Sequence, residues 1–217
     1  MTQSSSLRIT EIFHSLQGES KTVGIPTVFV RLTGCPLRCQ YCDTAYAFSG
    51  GEMMSLETIC GTVADYQCRH VTVTGGEPLA QPECILLLKQ LCDQGLIVSI
   101  ETSGALSIKG IDERVSVVMD LKTPGSHECD RNLEENVGLL KNTDQVKFVI
   151  CDRKDYDWAK AKTMQLDLPA KVQDILFSPS AEQLKPEQLA NWILDDRLQV
   201  RMQLQLHKLI WGDKPGH

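Results

Sequence analysis

The stretch GCPLRCQYC, residues 34–42, carries Cys35, Cys39 and Cys42 with three and then two residues between them. This spacing suits three thiolates closing on one face of a 4Fe-4S cube, which leaves the fourth iron without a protein ligand. An open iron can bind a small molecule, so the spacing points to catalysis rather than to electron transfer, where clusters normally carry four cysteines. A structural zinc site usually needs a fourth Cys or His in a short closed loop, commonly as C-x2-C pairs. Only Cys39 and Cys42 form such a pair, and no His lies between Gly18 and His70. A disulfide framework fits poorly, because nine cysteines is an odd number and 217 residues can bury a core without staples. Cys60, Cys68, Cys84, Cys92, Cys129 and Cys151 are scattered and read as small buried hydrophobes or inert thiols.

Outward from this loop, apolar runs rich in Val and Ile alternate with segments of helical pattern, the arrangement of successive βα units around a parallel sheet. Strands are expected at Arg8–Phe13, Thr27–Thr33, His70–Thr74, Leu96–Glu101, Val115–Leu121, Gln145–Ile150, Asp174–Phe177 and Gln199–Leu206. Helices are expected at Ser55–Gln67, Pro82–Gln94, Arg131–Asn142, Arg153–Met164 and Pro186–Asp196, with Pro82 and Pro186 in first turns and Gly95 after a helix end. A closed eight-fold barrel needs about 250 residues. This α/β chain therefore builds a partial, laterally open TIM-like (β/α) barrel, read as one domain over 1–217 with an accessory N-terminal strand and a C-terminal extension at the substrate site.

The active site of such a fold lies at the carboxyl ends of the strands, and that is where the distinctive short segments fall. The cysteine loop follows Thr27–Thr33, TGGEP (74–78) and ETSG (101–104) follow the next two strands, DLK (120–122) the one after, and SPS (178–180) a later one. Gly75 and Gly76 let the backbone turn tightly and approach a ligand without side-chain obstruction. Glu101, Thr102 and Ser103 present oxygens suited to hydroxyls, although ETSG reads equally as a strand end with a turn.

With 42% hydrophobic and 23% charged residues, the composition is that of a globular protein. No apolar run approaches the roughly 20 residues of a membrane span, and the start MTQSSS lacks a signal-peptide core. The free cysteines point to a reducing cytoplasm. A net charge of -6 argues against nucleic-acid backbone binding while leaving room for a small anionic substrate.

The C-x3-C-x2-C loop followed by GGEP resembles the radical S-adenosylmethionine (SAM) enzymes. In that family the open iron holds the amino and carboxylate groups of SAM while the cluster delivers one electron to its sulfonium. The resemblance implies SAM contacts from Tyr41, Cys42 and Asp43 in the cluster loop, Gly75 and Gly76, Glu101 and Ser103, Asp120, Leu121 and Lys122, and Ser178, Pro179, Ser180 and Ala181. Asp120 and Leu121 stand where Ser-Pro is common before the lysine. Packing over the cluster is the competing role of Tyr41, and an exposed ion pair that of Asp120 and Lys122.

FHSLQGES (13–20), Cys42-Asp43-Thr44, Arg31 and QLHK (205–208) are similar to the 7-carboxy-7-deazaguanine synthases over nearly the whole chain. Ser20 replaces the second glycine of that family's QGEG, Leu206 replaces a Thr, and the chain runs on through WGDKPGH. The resemblance implies a ring contraction of 6-carboxy-5,6,7,8-tetrahydropterin with loss of ammonia, in which a 5'-deoxyadenosyl radical takes a hydrogen from an unactivated carbon and later returns it. It places the pterin against Leu16, Gln17, Gly18, Glu19, Arg31, Thr74 and His207, with His207 open to a proton-transfer role. A solvated loop competes for Gln17 and Glu19, and a structural role for His207. Magnesium, which prefers oxygen ligands and keeps waters, falls to Thr44 by resemblance, a turn with Asp43 being the other reading. A homodimer and an external one-electron reductant such as flavodoxin are also implied. The competing functions are a glycyl-radical-enzyme activase and an iron-sulfur redox or regulatory module without SAM chemistry.

Overall fold

The computed structural model describes residues 5–181 and 183–212, together with 214 and 216. One nine-stranded sheet organises the chain, in the order β3-β1-β2-β4-β5-β6-β7-β8-β9. The first strand, β1 (Ser6–Leu16), pairs antiparallel with β2 (Pro26–Leu32) and β3 (Glu52–Ser55). From β2 onward the neighbours are parallel: β4 (His70–Gly75), β5 (Ile97–Thr102), β6 (Ser116–Asp120), β7 (Gln145–Ile150), β8 (Asp174–Pro179) and β9 (Arg201–Met202). The sheet does not close, since β3 and β9 stand at its two edges, and the expected partial, laterally open barrel results.

Alternation along each strand sorts the two faces of the wall. On β7, Val146, Phe148 and Ile150 are fully buried in the hydrophobic core, while Lys147 and Val149 line the inner cavity. The crossovers bury their apolar stripes through α1 (Leu56–Asp65), α2 (Cys84–Asp93), α3 (Arg153–Gln165) and α4 (Pro186–Asp195). Ser55 caps α1 by accepting from the Thr58 amide at 3.1 Å, and Asp152 caps α3 by accepting from the Asp155 amide at 2.9 Å. Among the described residues no helix is long and apolar enough to cross a membrane.

Two of the expected elements do not form as read. Arg131–Asn142 is no α-helix but a pair of 3-10 turns, Cys129–Arg131 and Glu134–Leu139. Asn132 is drawn off to the Lys122 amide and carbonyl (both 2.8 Å), and Asn136 donates to the carbonyls of Gly104 (3.1 Å) and Leu106 (2.8 Å). Such asparagine bonds compete with the helical ladder. The expected strand Gln199–Leu206 shrinks to Arg201–Met202, and Leu206 begins a short helix, α5 (Leu206–Trp211). The chain leaves the sheet there because the Leu206 amide donates to the Gly18 carbonyl at 2.9 Å. Pro82 lies ahead of α2 rather than in its first turn, and β3 was not legible in the sequence. Part of the terminal WGDKPGH and of the MTQSSS start lies outside the described residues.

Candidate active site

The loops at the carboxyl ends of β2, β4, β5, β6 and β8 converge with the loop after β1 and with α5 on one cavity of about 240 Å³. Every residue expected at the site lines it except Leu121, whose side chain is in the hydrophobic core. Cys35, Cys39 and Cys42 are free and partly buried on its wall. Burial pushes the Cys35 thiol up and the Cys39 thiol to about 11, so iron must displace their protons on binding. Among the described residues no three His, Cys, Asp or Glu side chains converge on a single metal ion. A cluster instead spreads its thiolates over different irons.

The glycines explain how the cluster loop sits on the sheet. A Cβ on Gly76 would stand 2.4 Å from the Gly34 carbonyl oxygen and 2.7 Å from Cys35 Cβ, and one on Gly75 would stand 2.4 Å from the Leu32 oxygen. Their bare backbone is the close approach that a glycine pair permits. Glu77 completes this frame from full burial, accepting from Thr102 Oγ1 (2.9 Å), the Ser103 amide (2.7 Å) and Ser103 Oγ (2.5 Å). Ser103, expected at SAM, thus has its hydroxyl engaged by the motif glutamate.

A second group of side chains occupies the other end. Glu19 accepts from Lys147 Nζ at 2.7 Å, Gln205 Nε2 at 2.8 Å and Gln203 Nε2 at 3.2 Å. Burial pushes the Glu19 carboxyl up, but the Lys147 ammonium and the Gln205 hydrogen bond together outweigh it and hold the group below its ordinary range. Gln17 donates to Thr72 Oγ1 (3.1 Å) and Glu101 Oε1 (3.3 Å), and its own Oε1 accepts from the Glu19 amide (3.2 Å). Glu101 also accepts from Thr74 Oγ1 at 3.2 Å, so it stands with the residues expected at the pterin. Burial, reinforced by the Glu19 charge, raises its carboxyl. Arg31 donates through Nε to Glu11 at 2.7 Å, with the Phe13 and Tyr46 rings each 5.8 Å from its guanidinium carbon.

Between the two ends, Asp120 pairs with Lys122 at 3.0 Å and with Lys147 at 3.5 Å. Burial opposes its ionisation, and Lys122 and Lys147 outweigh that to hold it ionised. Thr44 donates to Asp43 Oδ1 at 2.9 Å, and Asp43 is tied to α5 through Lys208 (3.1 Å) and Gln205 (3.3 Å). Ser20 keeps the left-handed backbone of a glycine, φ 67°, with its amide on Gln203 Oε1 at 2.6 Å and its hydroxyl 2.9 Å from Thr22 Oγ1. Lys147 and Gln203 were not singled out in the sequence. A lone lysine inside the Val-, Phe- and Ile-rich run QVKFVI was the available signal, since a buried ammonium requires a partner.

The chemistry of this donor set fits a cluster and SAM: three free thiols share one cavity wall with the Gly75-Gly76 backbone, whose missing side chains let the cluster loop pack against the sheet. Tyr41 Oη and Asp120 Oδ1 are buried beside the cavity, without a hydrogen-bond partner among the described residues. The profile of the Radical SAM superfamily matches residues 29–127. A 7-carboxy-7-deazaguanine synthase of Chlorobaculum tepidum is 43% identical over 215 residues, 98% of this chain and 97% of the relative. That of Koribacter versatilis is 42% identical over 219 residues, 94% of this chain and 97% of the relative. Among solved structures, QueE from Escherichia coli aligns with a TM-score of 0.70 over 92% of this chain and 94% of that one at 22% identity, a likeness of fold.

The open barrel, its three-cysteine loop and these relatives define a radical SAM enzyme, with a 4Fe-4S cluster and SAM as cofactors. Within that class, the chain belongs to the 7-carboxy-7-deazaguanine synthases.

Proposed function

We propose that this enzyme contracts the ring of 6-carboxy-5,6,7,8-tetrahydropterin to 7-carboxy-7-deazaguanine with release of ammonia, and that the two ends of the cavity divide the task. The observation that carries the reading is the ionised, triply held Glu19 carboxylate beside the Gln17 amide, in the same cavity as the three cysteines. An aminopyrimidinone edge offers N–H donors and a carbonyl acceptor, which a carboxylate and an amide read together. When bound, the cluster and SAM supply a 5'-deoxyadenosyl radical able to take a hydrogen from an unactivated carbon.

The chain's own residues then have distinct tasks. Glu19 and Gln17 orient the pterin, with Leu16 and Gly18 giving the loop its close approach. Arg31, its plane fixed by Glu11, Phe13 and Tyr46, offers its remaining guanidinium donors to the substrate carboxylate. Gly75, Gly76, Tyr41, Asp120, Lys122 and the Ser178–Ala181 turn hold SAM, with Leu121 contributing backbone alone. His207, which burial shifts below the ordinary imidazole range, can accept or return a proton at the pterin. Thr44 would supply a hydroxyl ligand to magnesium, an ion that prefers oxygen donors and keeps waters. An external one-electron reductant such as flavodoxin, a homodimer and a cytoplasmic setting complete the reading.

Anaerobic incubation of the reconstituted enzyme with SAM, reductant and the carboxypterin, followed by product identification, tests it. The expected result is 7-carboxy-7-deazaguanine with many turnovers per SAM consumed. SAM cleavage without that product sinks the substrate assignment, and no cleavage at all sinks the radical reading.

A further inference from the structure

Lys147 sits in the middle of β7, flanked by the fully buried Val146 and Phe148, on the face that lines the cavity. Register sets it beside Asp120 on β6, and its ammonium reaches across to Glu19, 128 residues earlier in the chain. Three carboxyl groups meet here: Glu19, Asp120 and Glu101. Among the described residues Glu101 has no ion-pair partner, whereas Asp120 has Lys122 in addition to Lys147. Among the described residues Lys147 is the one cation paired with Glu19, so its removal would leave Glu19 without an ion-pair partner, whereas Asp120 keeps Lys122 and Glu101 keeps the charge of Arg31. The position gains nothing for the sheet from a charge, because an apolar side chain would suit a buried strand equally well.

We propose that Lys147 is a positioning residue that holds the Glu19 carboxylate aimed at the pterin while tying it to Asp120, one of the residues read as holding SAM. The inference rests on the reading of Glu19 as the carboxylate that binds the pterin. Gln203 and Gln205 fix the direction of the carboxylate but carry no charge, so they cannot replace the ammonium. Asp120 retains Lys122 at 3.0 Å, so loss of Lys147 bears on the pterin far more than on SAM.

The test is a double-mutant cycle read by binding. Anaerobic protein with reconstituted cluster and SAM, without reductant, is titrated with the carboxypterin by calorimetry, and SAM is titrated separately. Lys147→Met is expected to weaken carboxypterin binding roughly 30-fold or more, the scale of a buried charge left unpaired. SAM binding should change by less than about threefold, Lys147→Arg should recover most of the loss, and in a Glu19→Gln background Lys147→Met should cost less than about threefold. The proposal is overturned by an equal loss of both ligands, by no loss, or by a loss independent of residue 19. If Lys147→Met does not fold, Lys147→Gln replaces it in the cycle, and failure of both assigns the residue to the fold and overturns the proposal. Wild-type enzyme that binds no carboxypterin defeats the substrate reading instead, which separates the two failures.

Discussion

The His207 ring lies directly on the Gly18 backbone: a Cβ at position 18 would stand 2.0 Å from His207 Nδ1. The loop after β1 and the first turn of α5 are thus in contact through a position where any side chain would meet the ring, and the 2.9 Å bond from the Leu206 amide to the Gly18 carbonyl secures them. Gly18→Ala should displace the histidine ring rather than the backbone, because the obstructing atoms belong to a side chain. Carboxypterin binding is expected to fall about tenfold with cluster content and Tm near wild type. A thermal shift together with a binding titration checks this, and unchanged binding would show that the ring's seat on Gly18 has no part in the site.

Gly76→Ala should behave differently. Its new Cβ would meet the Gly34 carbonyl oxygen and Cys35 Cβ, so the start of the cluster loop has to move. Reduced cluster incorporation and a stability loss of about 1–3 kcal/mol are expected, measured by iron content and denaturant unfolding. Wild-type iron content in Gly76→Ala would show that the loop adapts.

Replacement of Cys35, Cys39 or Cys42 by Ala should abolish cluster content and SAM cleavage. Cys84→Ala, at a fully buried core position, should retain both, at a cost of about 1 kcal/mol in stability for the small void. Absorption near the iron-sulfur charge-transfer bands and a SAM cleavage assay distinguish the two sets. A fully active, well-folded Cys39→Ala enzyme would remove the basis of the cluster assignment.

Glu101 supplies a pH prediction. Its carboxyl is raised by burial and by Glu19, so its folded pKa lies above its unfolded one. Such a group contributes stability that is full below the unfolded carboxylate pKa and lost as pH rises through the folded value. Glu101→Gln should therefore raise Tm by a few degrees above that window and lose its advantage in acid. Melting curves of both proteins over a pH series, without cofactors, decide the matter; an advantage confined to acid would contradict the raised carboxyl.

Thr44→Val removes the hydroxyl that donates to Asp43 while approximately keeping shape. Activity and its stimulation by magnesium should fall with the cluster signal intact, and magnesium should bind best with substrate present. Retained magnesium dependence, with substrate binding intact, would leave Thr44 as part of the loop's turn with Asp43.

Much of this enzyme was legible without coordinates. Thiol spacing is local, so Cys35, Cys39 and Cys42 announced a cluster site, and the Val- and Ile-rich runs announced the parallel strands whose carboxyl ends carry it. Resemblance of the 13–20 and 205–208 segments supplied the reaction. Local pattern failed where long-range bonds outweighed it: Asn132 and Asn136 abandoned a helix for partners on other loops, and the expected last strand gave way to α5 at the Gly18 carbonyl. The charge arrangement was likewise decided by tertiary structure. Glu19, Asp120 and Lys147 lie on a loop and two strands far apart in the chain, and only the parallel register of β6 and β7 with the returning loop brings an ammonium within reach of both carboxylates. Coulomb energy in a buried site depends on separation and solvent exclusion, quantities that a linear order of residues does not contain.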